Sequence, residues 1–134
     1  MTSCVLDTDV VIGALDRADV HHLAAKRAVA GMVAAERPVL LNTINYAEAL
    51  VRPAQEGRTL RAAVAAIDAL GIKLIAPTAL VAREAARLRA LNLSLAGGFA
   101  LATAQAHRAS LATFDGRVRR SLPAAGVPLA AGLQ

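Results

Sequence analysis

Residues 3–15 read SCVLDTDVVIGAL, and the fold turns on how this stretch is parsed. Residues 3–7 are a short apolar run closed by an acid, the pattern of a buried strand that ends at Asp7. Residues 8–16, TDVVIGALD, follow without a linker and read as a short helix, with Asp7 placed to cap it. A strand that turns directly into a helix is the opening of an α/β unit. It also leaves a carboxylate at the strand's carboxyl end.

The same unit recurs along the chain. Residues 20–36 carry apolar positions at helical spacing, and RPVLLN (37–42) is a second strand with proline at its start and asparagine closing it. TINYAEALVRPAQEG (43–57) opens on an Asn-Thr cap and is helical until Pro53 and Gly57 interrupt it. RTLRAAVAAIDALG (58–71) is an amphipathic helix ending in glycine, and IKLIA (72–76) is a third strand. Pro77 and Thr78 start a long helix, and a further helix follows within residues 91–107. ASLATFD (109–115) is a fourth strand ending in Asp115, GRVRRSL (116–122) a short helical turn, and GVPLAA (126–131) a fifth, edge strand. No repeat or linker divides the chain. Short apolar strands alternating with helices predict one domain over residues 1–134. Its fold class is an α/β/α sandwich of three layers around a mainly parallel sheet of four or five strands.

Composition narrows the function classes. Hydrophobic residues are 56% of the 134 and charged residues 19%, which excludes disorder. Three aromatics (Tyr46, Phe99, Phe114) are too few for a protein that binds nucleic acid mainly through stacking platforms. Cys4 lies in the first apolar run and reads as a buried structural thiol, which fits a reducing, cytoplasmic setting. The N-terminus reaches an acid before any long apolar stretch, so no secretory signal is expected. No segment has the length of a membrane span. A net charge of +5, from thirteen arginines and two lysines, suits a polyanionic partner and equally suits a solvated surface.

In a parallel sheet, ligands sit beyond the carboxyl ends of the strands. Asp7 and Asp115 both follow strands there and are expected on one rim. Glu48 breaks the apolar face of INYAEALV, which points to a role beyond solvation. Each acid also has a plain reading: a cap at Asp7, a solvated face at Glu48, a turn before Gly116 at Asp115. Three acids converging on one rim would repel one another unless a hard cation such as Mg²⁺ or Mn²⁺ neutralised them. Such an ion serves phosphodiester chemistry. His21, His22 and His107 read as surface or capping residues, and none as a catalytic base.

VLDTDVVIGAL, NYAEALVRP and SLAGGFALATAQAHRASLATFDGRV, in that order and over nearly the whole chain, resemble a PIN-domain ribonuclease of the VapC toxin family. The resemblance implies a metal-dependent endoribonuclease that cuts RNA with Mg²⁺ or Mn²⁺, often a homodimer, and paired with a VapB-like antitoxin. It makes Asp7, Glu48 and Asp115 the catalytic and metal-ligating acids, with Thr113, Asn45 and Asp9 as supporting polar groups. The family's third acid falls at Gly97, so the first glycine of the Gly97-Gly98 pair reads as a vacated ligand position and the chain as an impaired enzyme. Close helix packing accounts for Gly98. Arg117, Arg119 and Arg120 are candidate contacts to RNA phosphates. Ile12, Leu15, Ala47 and Leu50 outline an apolar groove for an antitoxin helix, and core packing explains the same residues.

Other classes stay open. A catalytically dead module that binds RNA or antitoxin is consistent with Gly97. A haloacid-dehalogenase-like phosphatase also starts from an Asp-x-Asp such as LDTDVV, but it needs a late lysine and a late acidic pair that the chain lacks. A receiver domain needs an aspartate after the third strand, where IKLIAPT has none.

Overall fold

The computed structural model describes residues 2–133, the side chain of Arg58 excepted. Four strands, β1 (Cys4–Leu6), β2 (Val39–Asn42), β3 (Lys73–Ile75) and β4 (Ser110–Ala112), form one sheet in the order β3-β2-β1-β4. Every pairing is parallel; β1 sits inside, with Cys4 opposite both Val39 and Ser110. Residues 126–131 do not form the expected fifth strand. They make a single parallel bridge, Leu111 to Leu129, because Pro128 has no N–H to extend a ladder.

Alternation along the strands separates two cores. Cys4, Leu6, Val39, Leu41 and Ala112 face one side, where they meet α1 (Thr8–Leu15), α2 (His22–Ala34), α3 (Thr43–Gln55) and α4 (Arg58–Ala69). Val5, Leu40 and Leu111 face the other side, against α5 (Ala79–Ala90), α6 (Leu95–His107) and α7 (Gly116–Ala125). The central layer is therefore apolar on both faces, as an all-parallel sheet requires. Cys4 is fully buried in the first core, and burial pushes its thiol pKa up, away from reactivity.

Helix starts follow the sequence cues. Asp7, Asn42, Thr78, Ser94 and Asp115 each accept a backbone N–H in the first turn of the next helix. Pro53 does not stop α3. The helix runs two residues past it to Gln55, and the break comes at Gly57 with φ +68°. Residues 116–125 form ten residues of helix rather than a short turn, closed by Gly126 in the left-handed conformation.

The Gly97-Gly98 pair is part of how α6 packs. A Cβ on Gly98 would lie 3.0 Å from the Ala85 carbonyl oxygen, so α5 and α6 approach closely only because that atom is missing. A Cβ on Gly97 would lie 2.9 Å from Ser94 Oγ and 3.2 Å from Val118 Cγ2.

Strands β1, β2 and β3 step across the sheet in one direction, and the chain then returns past β1 to place β4 on its far side. The topological switch point thus falls between β1 and β4. Asp7 ends β1 there, and residues 113–115 continue from β4.

Candidate active site

Asp7 caps α1 from the carboxyl end of the inner strand β1 and is 5% exposed. Its Oδ1 accepts from the Thr8 N–H at 2.8 Å, and its Oδ2 accepts from the Thr113 hydroxyl at 2.8 Å. The same Thr113 oxygen accepts from the Asp115 N–H at 3.1 Å. One buried hydroxyl therefore ties the first and last acids of the chain together across β1 and β4. Asp115 itself caps α7, its Oδ1 accepting from the N–H groups of Arg117 and Val118. The paired part of β4 ends at Ala112, three residues earlier than the sequence indicates, because Thr113 and Phe114 turn to these side-chain partners.

Asp9 joins this group from the first turn of α1. Its Oδ2 accepts from the Phe114 N–H at 3.0 Å, while its buried Oδ1 has no partner among the described residues. Burial and the neighbouring Asp9 raise the Asp7 pKa to about 7, with Asp115 adding to the effect and the Thr113 and Thr8 hydrogen bonds opposing it. Burial, then the charge of Asp115, raises Asp9 as well. Like charges held together out of water produce this pattern.

Asn45 is fully buried and donates to Thr8 Oγ1 at 3.1 Å and to the Ala96 carbonyl at 2.9 Å. It links the residue beside Asp7 to the start of α6, next to Gly97. Its Oδ1 has no partner among the described residues. The missing Cβ of Gly97 would face Val118, whose N–H is capped by Asp115. Position 97 thus abuts the first turn of α7, which Asp115 caps.

Glu48 stands apart. It is exposed on α3, one turn beyond Asn45, and lines a groove of about 870 Å³ between α1, α3 and α4. Among the described residues, no three His, Cys, Asp or Glu side chains form a group that could hold a metal ion. The structure groups Asp7, Asp9 and Asp115 and leaves Glu48 on the groove wall.

The oxygen-only donor set still fits a hard divalent cation. Magnesium commonly binds through one or two carboxylates and keeps several waters. Burial and the neighbouring acids raise the Asp7 pKa, and a cation bound beside it would favour the ionised form.

The three arginines after Asp115 differ. Arg117 and Arg120 are exposed. Arg119 is turned inward, its Nε donating to the Thr113 carbonyl at 2.9 Å and its Nη2 to the Leu133 carbonyl at 3.1 Å. It clamps the C-terminal segment to the residue that orients Asp7, which single residues in sequence could not reveal. His21 is exposed, as the sequence indicates, and its ring stacks on Phe114 with centroids 4.1 Å apart, a contact that sequence reasoning did not give. Its neighbour His22 bonds the Gly13 carbonyl. In the groove, Ile12, Leu15 and Ala49 line the wall, and Leu50 packs into the core instead.

Fold and site together define a small α/β protein with an acidic cluster at the switch point of a parallel sheet. Residues 4–121 match the PIN domain, and the chain belongs to the PIN-domain family. Its fold is that of solved toxin–antitoxin proteins. A toxin–antitoxin complex from Klebsiella pneumoniae contains a chain 26% identical, with a TM-score of 0.67 over 90% of this chain and 93% of that one. VapC20 of Mycobacterium tuberculosis, a toxin that cleaves the sarcin–ricin loop, is 18% identical with a TM-score of 0.72 over 89% and 95%. FitAcB from Neisseria gonorrhoeae is 21% identical with a TM-score of 0.69 over 96% and 97%. A search of curated proteins gives no match. No helix among the described residues is long and apolar enough to cross a membrane.

Proposed function

We propose that this chain is the toxin of a type II toxin–antitoxin pair, a Mg²⁺- or Mn²⁺-dependent endoribonuclease of the cytoplasm whose centre is weakened by Gly97. The observation that carries the reading is the hydrogen-bonded line from Asp7 through Thr113 to Asp115 at the switch point, with Asp9 beside it. Asp7 and Asp115 would hold the ion, and Glu48 is assigned to it from the family pattern. When bound, the ion lowers the pKa of an attached water and offsets charge on the phosphoryl group.

The chain's own residues prepare that position. Thr113 fixes the Asp7 carboxylate, Asp9 holds the Phe114 backbone, and Asn45 keeps α1 and α6 in register. Arg117 and Arg120 stand exposed after Asp115, where they meet RNA phosphates and make binding salt-dependent. The groove beside Glu48 suits an antitoxin helix, a partner supported by the likeness to the Klebsiella complex. A homodimer is the expected resting form.

The test is cleavage of total RNA with MgCl₂ or MnCl₂, against the same protein in EDTA, for this chain and Gly97→Asp. Weak metal-dependent cleavage that rises on Gly97→Asp supports the reading. Absence of cleavage by both chains contradicts it. RNA affinity retained without turnover in either chain would instead favour a binding module, the reading that Gly97 itself recommends.

A further inference from the structure

The geometry points to a nucleobase-stacking position formed by His21 and Phe114 beside the carboxylate cluster, which takes one unpaired base of a single-stranded RNA. It rests on the nuclease reading and adds a subsite to it. The two rings lie 4.1 Å apart with their planes within 7° of parallel. Phe114 is the half-buried member and His21 the exposed one, so the pair has an inner ring seated on the protein and an outer ring toward solvent.

The backbones that carry both rings are held in place. Phe114 lies between Thr113 and Asp115, and its N–H is fixed by Asp9 Oδ2 at 3.0 Å. The His21 N–H is fixed by Asp19 Oδ1 at 2.8 Å, and the adjacent His22 Nδ1 is bonded to the Gly13 carbonyl at 2.8 Å. A parallel stack already formed before binding extends to a third π-plane at little entropic cost. Unpaired RNA bases are recognised in this way, on histidine and phenylalanine among other rings.

Local charge favours a base over the backbone here. Asp16 and Asp19 belong to the same turn as His21, with carboxylates that accept its backbone N–H groups. They repel phosphate, whereas Arg117 and Arg120 lie on the other side of Asp115, on α7. An RNA strand following these charges has its backbone toward α7 and a base toward the stack. The low aromatic content excludes an extended platform, and a single stacked position is compatible with it.

The test uses a fluorescently labelled single-stranded oligoribonucleotide with CaCl₂ in place of MgCl₂ to suppress turnover. Affinity is compared for this chain, His21→Ala and His21→Phe, with circular dichroism melts confirming that each is folded. His21→Ala is expected to bind at least about 5-fold more weakly, and His21→Phe to keep the affinity. A scan of abasic substitutions along the RNA should find one position whose loss weakens this chain but leaves His21→Ala unchanged. Equal affinity of this chain and His21→Ala for the intact RNA, or an identical abasic profile for both, overturns the stacking position alone. If this chain binds no RNA, both the position and the nuclease reading are overturned.

Discussion

Replacing Asp7 with asparagine isolates the cost of holding a charge at the carboxyl rim of the sheet. In the folded chain its pKa is raised from 3.8 to about 7, first by burial and then by Asp9. At 1.36 kcal/mol per pH unit, that rise corresponds to about 4 kcal/mol of stability lost when Asp7 ionises. The folded protein binds this proton more tightly than the unfolded chain does. Its contribution is therefore full below about pH 4, declines as pH rises toward the folded value, and is gone above it. Asparagine cannot ionise, so its variant escapes the decline. It gives up about 1 kcal/mol because an amide cannot accept from both the Thr8 N–H and the Thr113 hydroxyl. Urea denaturation in EDTA should find Asp7→Asn more stable than the parent by about 2–3 kcal/mol at pH 8, and no more stable at pH 4. A variant equal to or weaker than the parent at pH 8 would show that burial and Asp9 do not raise the Asp7 pKa in the folded chain.

Gly97→Asp should raise metal-dependent cleavage while lowering stability by about 1–2 kcal/mol, since its Cβ must displace Ser94 Oγ and Val118 Cγ2. Gly97→Ala should carry a similar steric cost in a thermal melt with no gain in cleavage. Gly98→Ala should destabilise by about 1–3 kcal/mol despite alanine's better helix propensity, because the opposing atom is the Ala85 backbone oxygen, which has no rotamer to change. Arg119→Ala should cost about 1.5–3 kcal/mol and speed amide exchange around residues 111–113 and 130–133, through loss of the bonds to the Thr113 and Leu133 carbonyls.

The layers and the positions of Asp7 and Asp115 were legible because they depend on local pattern. Strands that alternate between two cores are uniformly apolar, and an acid that closes such a run is placed by the run itself. Asp7 serves as both a cap and a member of the acidic cluster, so the plain and functional readings of that residue coexist. Glu48 shows where pattern stops. Its apolar neighbours Ala49 and Leu50 face inward, and the helix turns Glu48 itself toward solvent and the groove. Asp9 and His21 act on Phe114, more than ninety residues away, and Arg119 reaches carbonyls 6 and 14 residues off, and nothing in their local spacing names Phe114, Thr113 or Leu133. The fifth strand failed on Pro128, whose missing N–H was present in the sequence but was outweighed by its apolar neighbours.

Asp7 and Asp115 are proposed to hold a divalent cation at the switch point. Titration of the protein with Mn²⁺, followed by electron paramagnetic resonance of the free ion, tests this without reference to any RNA. Saturable binding that is lost in Asp7→Asn and in Asp115→Asn, and tightened in Gly97→Asp, is the result predicted. Binding that is absent from the parent and from Gly97→Asp alike, or that survives both asparagine substitutions, would contradict it.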